Sequence, residues 1–415
     1  MTTTINNEHK ELNFLSEREQ SQACLNSAEH EKNQGRKVLN VPNLRFPEFQ
    51  GEWITYKIKD VLSIGNGRDY KHLSNGEIPV FGTGGYMTSV DECLYDGETT
   101  FIGRKGSINK PFYYNGKFWP VDTLFYTHSF NGITPKFTYC LFQTINWLKY
   151  NEASGVPSLS KDTIEKIKIK IPGLEEQNKI AKLMFALDVR ITTQNKIIDD
   201  LQSLIKGLED NLLDNPLWEK TYLRSFMQFF PTNSLSWEQL SYKEGGIRNL
   251  HYGLIHGFQT RGINSASLPM IKNEAVPKQY ILCQVGDVAF ADASEDTGEI
   301  AKSVEFVNTI EGDTICGLHT IHGRDIKNRT VVGFKGFAFN SRYFHNQIKR
   351  LAQGTKVFSI TANNLSSCYV YLPDLETQKA IVKLLKAYET QLIVSRKTLK
   401  QYEKQKQYLL RQMFI

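Results

Sequence analysis

The chain has 415 residues, of which 40% are hydrophobic and 23% are charged, and this composition is ordinary for a soluble globular protein of two or three domains. Residues 1–40 lack the apolar core of a secretory signal and no stretch of 18 apolar residues exists, so secretion and a membrane-spanning helix are excluded and a cytoplasmic protein is expected. The formal net charge of +6 permits a nucleic-acid partner but fits a solvated, slightly basic surface equally well.

The cysteines and histidines do not form a recognisable ligand pattern along the chain. No two cysteines make a CxxC pair, which predicts scattered reduced thiols rather than a disulfide frame or a zinc site. His319 and His322 are close in sequence, but a zinc site needs a third or fourth ligand. The cysteines are Cys24, Cys93, Cys140, Cys283, Cys316 and Cys368.

Residues 1–40 are polar and predict a disordered or loosely helical extension. The next region, 41–172, contains short apolar runs separated by glycine and asparagine, such as Ile78-Pro-Val-Phe-Gly82. Region 215–372 has the same character, with the run Val285-Gly-Asp-Val-Ala-Phe290. Both predict mixed α/β domains, and each begins near a tryptophan, Trp53 or Trp237.

A long helix is predicted after each domain, over 173–214 and 373–415. Each begins with a repeated motif, Pro172-Gly-Leu-Glu-Glu-Gln177 and Pro373-Asp-Leu-Glu-Thr-Gln378, at an offset of 201 residues. Apolar residues then recur at alternating steps of three and four, which indicates a heptad seam. The first seam is Ile180, Leu183, Leu187, Ile191, Ile198, Leu201, Ile205, Leu208 and Leu212, and the second is Ile381, Leu384, Tyr388, Leu392, Ser395, Leu399, Tyr402, Lys406, Leu409 and Met413.

Two amphipathic helices of about 60 Å are expected to pair as a parallel or antiparallel coiled coil. Both seams carry a polar residue at the same place, Gln194 and Ser395, and Lys406 is a second polar seam residue. The net charge is −2 over 174–213 and +6 over 375–414, which favours pairing. The alternative is that each helix packs only on its own domain.

This layout resembles the specificity subunits of type I restriction–modification systems over about residues 41–415. Four features carry the resemblance. They are Val41-Pro-Asn-Leu-Arg-Phe-Pro-Glu-Phe49, the segment Gly103-Arg-Lys-Gly-Ser107 leading to Trp119-Pro-Val-Asp122, Leu318-His-Thr-Ile321 following Asp292-Ala-Ser-Glu-Asp-Thr297, and the twin Pro-x-Leu-Glu-x-Gln helices.

The resemblance implies an α+β protein in which two mixed α/β target-recognition domains are separated by two long conserved helices that pair as an antiparallel coiled coil. Each domain would read one half of a bipartite double-stranded DNA site, and the helices would set the distance between them. The implied partners are two methyltransferase subunits and motor–nuclease subunits. S-adenosylmethionine, Mg and ATP would be used by those partners, with no cofactor and no metal in this chain.

Arginine and lysine on glycine-rich loops suit contacts with phosphates and base edges, because glycine allows close backbone approach. Solvated turns are the alternative reading of the same segments. The DNA-binding candidates are Gly84, Arg104, Lys105, Ser107 and Lys110 in the first domain, and Arg261, Ser294, Thr297, His319, Arg324, Lys356 and Asn363 in the second.

No catalytic motif is predicted. Asp214-Asn-Pro-Leu-Trp218 is only faintly similar to the Asn-Pro-Pro-aromatic loop of adenine methyltransferases, and no glycine-rich cofactor strand precedes it, so a linker turn is the better interpretation. A non-catalytic specificity subunit is therefore the leading hypothesis. The alternatives are a fused methyltransferase–specificity chain and a coiled-coil scaffold with two protein-binding domains.

Overall fold

The computed structural model describes residues 40–258, 261–308, 310 and 312–415. The predicted N-terminal extension, apart from Asn40, and Cys24 lie outside the described residues. The chain divides into two compact units, one made of the described residues up to Asp188 together with Lys404–Ile415, the other of the described residues in Val189–Glu403. Because the division falls inside the two long helices, each helix contributes to both units.

The first unit is built on one six-stranded sheet with the order β2-β7-β5-β6-β3-β4. Its neighbours are antiparallel except for the parallel pair β3 and β6. Strands β1 and β8 form a separate antiparallel ribbon. The elements are β1 (Ile54–Lys57), α1 (Ile58–Val61), β2 (Ser63–Asn66), β3 (Asn75–Gly82), β4 (Gly85–Val90), β5 (Tyr95–Gly103), β6 (Phe112–Pro120), β7 (Leu124–His128), α2 (Pro135–Phe142), α3 (Lys161–Lys166), β8 (Lys168–Ile171) and the first part of α4 (Leu174–Leu213).

The second unit contains a five-stranded sheet, β10-β19-β15-β17-β13, and a four-stranded sheet, β11-β14-β12-β18. Two short ribbons, β9 with β21 and β16 with β20, complete it. The elements are β9 (Glu219–Tyr222), β10 (Met227–Phe230), β11 (Leu240–Ser241), β12 (Arg248–Leu250), α5 (Tyr252–Gly257), β13 (Gly262–Ile263), β14 (Met270–Ile271), β15 (Val288–Ala291), β16 (Ala293–Ser294), β17 (Ser303–Phe306), β18 (Thr314–Cys316), β19 (Thr320–Asp325), α6 (Phe334–Ala338), α7 (Arg342–Leu351), β20 (Phe358–Ser359), α8 (Ala362–Ser367), β21 (Tyr369–Leu372) and α9 (Leu375–Gln412).

The two units share one strand order, although their sequences differ outside the helices. The order β10-β19-β15-β17-β13 repeats β2-β7-β5-β6-β3, including the parallel pairing of the last two strands. The short helices α3 and α8 begin after hydroxyl caps at Ser160 and Thr361, which are 201 residues apart, as are β8 and β21. The repeat that is visible in the sequence only at the helices therefore extends through both domains.

The glutamine of the repeated motif explains why the motif recurs. Gln177 and Gln378 are completely buried. The Gln177 amide accepts from the Thr134 N–H and donates to the carbonyls of Gly132 and Pro172 at 2.9 Å. Gln378 makes the same three bonds, with the Val331 N–H and the carbonyls of Arg329 and Pro373, at 3.0 Å. Each amide thus joins the start of a long helix to a loop of its own domain.

Within each unit the long helices run antiparallel, so the predicted arrangement and the α+β class are confirmed. In the first unit Lys406 of α9 forms an ion pair with Asp188 of α4. In the second unit the Arg190 guanidinium lies 5.9 Å from the Tyr402 ring centroid. Although they are long, neither these helices nor any other helix of the described residues is apolar enough to cross a membrane.

The predicted seam residues are buried or half-buried, with the exception of Leu384. Ser395 is buried, as expected for a polar seam position, and Gln194 is half-buried. Leu384, however, is 40% exposed, and the neighbouring Leu385 is fully buried in the core of the second unit. Ile381 and Leu385 in the first turns of α9 pack in one core with residues of the second domain and with Leu213 of α4, so the buried stripe there runs through Leu385 and not Leu384.

The end of α9 belongs to the core of the first unit. Phe414 stacks on Phe137 with ring centroids 5.4 Å apart and meets Trp53 edge-on at 6.2 Å. The Leu44 N–H donates to the Gln412 carbonyl at 2.9 Å. Residues from opposite ends of the described chain thus share one core.

Candidate nucleic-acid interface

In the first domain the glycine-and-arginine segment forms the loop that connects β5 to β6. The Arg104 N–H donates to the Thr123 carbonyl at 2.7 Å, and the Leu159 N–H donates to the Arg104 carbonyl at 2.9 Å. Gly106 has a φ of 84°, a conformation that favours glycine. The backbone of this loop is therefore fixed while the Arg104 and Lys105 side chains stay exposed.

The β3–β4 hairpin lies beside this loop. Gly82 pairs with Gly85, so Thr83 and Gly84 form a two-residue turn. A Cβ at Gly106 would lie 3.9 Å from Thr83 Oγ1, which places the two turns next to each other. We call residues 82–85 and 103–110 the first loop face. All the first-domain candidates lie on it and are exposed: Gly84, Arg104, Lys105, Ser107 and Lys110.

An equivalent loop follows β15 in the second domain. The Asp292 N–H donates to the His319 carbonyl at 3.1 Å, and the Ile360 N–H donates to the Asp292 carbonyl at 3.0 Å. These are the bonds that Arg104 makes with Thr123 and Leu159. Asp292 therefore occupies the place of Arg104, although it is not among the DNA-binding candidates taken from the sequence.

This second loop face, residues 291–298 with His319, differs in charge from the first. His319 Nδ1 lies 3.0 Å from an Asp292 carboxylate oxygen, and the His319 side chain is 50% exposed. Ser294 Oγ accepts from the Asp296 N–H, and the Thr297 side chain is exposed. Asp292 thus stands where the first domain presents Arg104, and His319 lies beside it where the first domain has Thr123.

The remaining second-domain candidates divide into two groups. Lys356 is exposed just before β20, and because Ser294 pairs with Phe358 it lies near the second loop face. Asn363 is exposed in the first turn of α8. Arg261 and Arg324, in contrast, are held elsewhere.

Arg324 lies at the other end of β19 from His319, where it donates to both oxygens of Asp287 at 2.8 and 2.7 Å. Arg261 faces the long helices: its backbone N–H donates to Glu389 at 3.0 Å and its guanidinium lies 3.4 Å from Glu209. Burial raises the pKa of Glu209, and the charge of Arg261 opposes that rise. Both arginines are therefore engaged by acidic side chains of the second unit.

An aromatic row adjoins the second loop face and was not predicted. Trp237, which is 45% exposed, lies 4.4 Å from the His251 ring, His251 lies 4.7 Å from Tyr252, and Tyr252 lies 5.3 Å from His319. These residues come from separate segments, so only the fold brings them together. Flat rings of this kind provide stacking and edge contacts to nucleic acid.

The predicted scattering of the cysteines is wrong for one pair. Cys283 and Cys316 are both buried, with their sulfur atoms 3.6 Å apart. The Cys283 N–H donates to the Thr314 carbonyl at 2.8 Å, which brings Cys283 close to Cys316. The spacing of the two cysteines in the sequence does not predict this proximity. The five cysteines among the described residues are free thiols.

Both domains share the five-strand order and the glutamine contacts at the start of a long helix, which together we call the frame. Each domain also presents an exposed polar loop at the same strand end. This arrangement defines a protein with two recognition modules in a single chain. The family model described as type I restriction modification DNA specificity domain matches residues 50–203 and 263–404. The chain belongs to this family, the type I restriction–modification specificity subunits.

Relatives span the chain to different extents. The type I restriction enzyme MjaVIII specificity subunit of Methanocaldococcus jannaschii is 28% identical over 62% of this chain and 64% of its own length, just under two thirds. The putative MjaX specificity subunit of the same organism is 25% identical over 90% of this chain and 95% of its own length. The structure of a type I S subunit from M. genitalium has the same fold, with a TM-score of 0.62, 13% identity and coverage of 90% of this chain and 99% of that one.

Proposed function

We propose that this chain recognises a bipartite double-stranded DNA site, with one half-site read by each domain. The observation that carries the proposal is the pair of equivalent loop faces. Both are fixed by the same backbone hydrogen bonds, and they expose different polar side chains. Loops that share a backbone conformation but expose different side chains suit the recognition of two different DNA half-sites. Phosphate contacts position a protein on DNA, and contacts with base edges specify the sequence.

The first loop face offers Arg104 and Lys105, whose donors match the acceptors of guanine in the major groove. The second offers Asp292, which accepts from cytosine N4, next to the imidazole of His319. We therefore expect the two half-sites to differ in sequence. The acidic loop also predicts that the second half-site depends less on phosphate contacts and more on base edges.

The chain itself performs no chemistry in this proposal. Two methyltransferase subunits would use S-adenosylmethionine to methylate adenine, and motor–nuclease subunits would use ATP and Mg for restriction. The paired helices α4 and α9 would set the spacer between the half-sites. A solved structure that concerns complex assembly and conformational transition of the type I R-M system contains a chain with a TM-score of 0.50 to this one, at 14% identity over 86% of this chain and 96% of that one.

The test is single-molecule sequencing of methylated adenines in cells that express this chain with its cognate methyltransferase. The expected result is a split motif with a fixed gap that disappears when this chain is deleted. Absence of new methylation beside an active methyltransferase would contradict the proposal. Salt-insensitive or absent DNA binding by the assembled complex would instead support the scaffold with two protein-binding domains.

A further inference from the structure

Three metal-binding side chains meet in the second domain, away from the loop face. A ligand atom each of Cys283, Cys316 and His322 lies within 4.8 Å of the others, and all three residues are buried. Cys316 ends β18 of the four-stranded sheet, whereas His322 lies on β19 of the five-stranded sheet. The cluster therefore sits where the two sheets of this domain join.

We propose that Cys283, Cys316 and His322 bind a single zinc ion. Thiolate and imidazole are the ligands that zinc prefers in proteins, and the sequence separations are too irregular for a recognisable motif. The site is independent of the proposed DNA recognition, because none of its residues lies on a loop face.

The separation of the two sulfurs fits a zinc ion. Tetrahedral zinc with bonds of about 2.3 Å to sulfur holds two sulfurs about 3.8 Å apart. The Cys283 and Cys316 sulfurs are 3.6 Å apart, so their separation needs little change. The ring nitrogen of His322 lies within 4.8 Å of both sulfurs, so metal binding would draw the imidazole and the sulfurs slightly closer together.

Charge balance favours a divalent ion at this buried place. Two thiolates and a neutral imidazole cancel the charge of Zn²⁺, so no net charge is added to the interior. The hydrogen bond with Cys283, together with burial, raises the pKa of the Cys316 thiol. Zinc is bound by thiolates, so its binding would release thiol protons to solvent.

The surroundings hold the imidazole as a metal ligand requires. His322 Nε2 lies 2.7 Å from an oxygen of Asp287, and both side chains are 1% exposed. Metal-bound histidines commonly donate their second ring N–H to a carboxylate in this way. Asp287 is in turn held by Arg324, so a chain of bonds fixes the ring.

A cavity beside the cluster would give the ion access to the site and leave room for a fourth ligand. Cys316 and His322 line a cavity of about 790 Å³ together with Asn233, Thr232 and Tyr280. Three protein ligands leave one tetrahedral position, which a water molecule from this cavity would fill. The ion would then link the four-stranded sheet to the frame that both domains share.

The experiment compares the zinc content of the full chain and its variants, purified under reducing conditions, supplied with zinc chloride and desalted. We expect about one zinc ion per chain in the wild type and at least a tenfold loss in the double variant Cys283→Ser, Cys316→Ser. Cys93→Ser, which removes an exposed thiol, and Cys368→Ser, which removes a buried thiol of the same unit, are controls that should keep the ion.

Cobalt titration of the unaltered chain does not depend on a variant folding. Thiolate-to-cobalt charge transfer with intense tetrahedral d–d bands is expected, and His322→Asn should weaken both. The proposal is overturned if the wild type holds no more zinc than the double variant, or if cobalt gives no charge-transfer band. A Cys283–Cys316 disulfide that persists under reducing conditions, found by mass analysis of an unreduced digest, would overturn it in favour of a redox pair.

Discussion

The first and second domains share five strands in the same order but differ in what they place at equivalent positions. The first loop face presents Arg104 where the second presents Asp292. Beneath these loops, the first domain holds its strands with a buried hydroxyl pair, Thr99 and Thr127, bonded at 2.8 Å through the Thr127 carbonyl. The second has the ionic group of Asp287, His322 and Arg324 in the corresponding place.

This comparison separates the residues that define the frame from those that can vary. The buried amides of Gln177 and Gln378 make the same three bonds in both domains, so they belong to the frame. Loop side chains are exposed and contribute little to folding, since exposed substitutions usually change stability by about 0.5 kcal/mol or less. A change of DNA sequence preference therefore requires no change of fold.

The largest expected effect comes from shortening both helices while leaving both domains intact. Asp188 meets Lys406 and Arg190 meets Tyr402, so residues 195–201 lie opposite 392–398 in the antiparallel register. Deleting both segments removes about 10 Å of helix. Methylation at the original motif should be lost and should reappear at the same half-sites with a spacer about three base pairs shorter, as measured by methylation sequencing.

Lys196→Ala with Lys397→Ala is the matched control, because both exposed lysines lie in these segments and the helix length is kept. The control should retain the parental motif. If the shortened protein also kept the parental spacer, the helices would not determine the distance between half-sites.

The next largest effect tests whether the two buried glutamines, Gln177 and Gln378, contribute equally to the free energy of unfolding. Gln177→Leu and Gln378→Leu each remove three hydrogen bonds to backbone groups, at a cost of roughly 3 kcal/mol. We expect similar losses in the free energy of unfolding, with faster hydrogen exchange at Thr134 in one variant and at Val331 in the other. Gln194→Leu at the half-buried seam is the control and should change stability by less than about 1 kcal/mol. A large loss from only one of the two would show that the equivalence is limited to backbone geometry.

The sequence predicted the long helices because heptad periodicity and the Pro-x-Leu-Glu-x-Gln motif are local signals. The exposed first loop could be predicted for a similar reason, since Gly103-Arg-Lys-Gly-Ser107 combines turn residues with charge. The shared strand order could not, because strand pairing joins distant segments whose side chains differ. For the same reason the sequence did not show the equivalence of Asp292 to Arg104, the pairing of Cys283 with Cys316, or the engagement of Arg261 and Arg324 by acidic side chains of the second unit.

A smaller effect is expected from the loops themselves. Arg104→Ala with Lys105→Ala should weaken binding of the assembled complex to its DNA about 10- to 100-fold through the first half-site alone. Lys182→Ala with Lys206→Ala removes the same charge from exposed positions on α4 and should leave the half-site preference unchanged. His319→Ala should affect only the other half-site, measured with duplexes altered in one half at a time. A variant that weakened both halves equally would indicate a general charge effect.

The smallest effect concerns the pH dependence of stability, which the buried Asp287 confers on the second domain and the buried hydroxyls of Thr99 and Thr127 do not confer on the first. Burial alone would raise the pKa of Asp287, but the bonds from Arg324 and His322 outweigh it and hold the pKa below its usual value. A lowered folded pKa means that Asp287 stabilises the fold above about pH 4, and that this stabilisation is lost as the pH falls through the folded value. The Tm difference between wild type and Asp287→Asn, measured with metal removed, should therefore shrink below about pH 4. A difference that stays constant would contradict the role of the charge.

The contact of Phe414 with Trp53 and Phe137 has a consequence for how the protein is made. The ribosome synthesises the first domain early, yet part of that domain's core arrives only after the entire second domain has been translated. The apolar site around Trp53 and Phe137 therefore stays unfilled until Phe414 has been translated. A frameshift or stop codon anywhere before Phe414 would therefore leave the core of the first domain incomplete, although that domain is encoded far upstream.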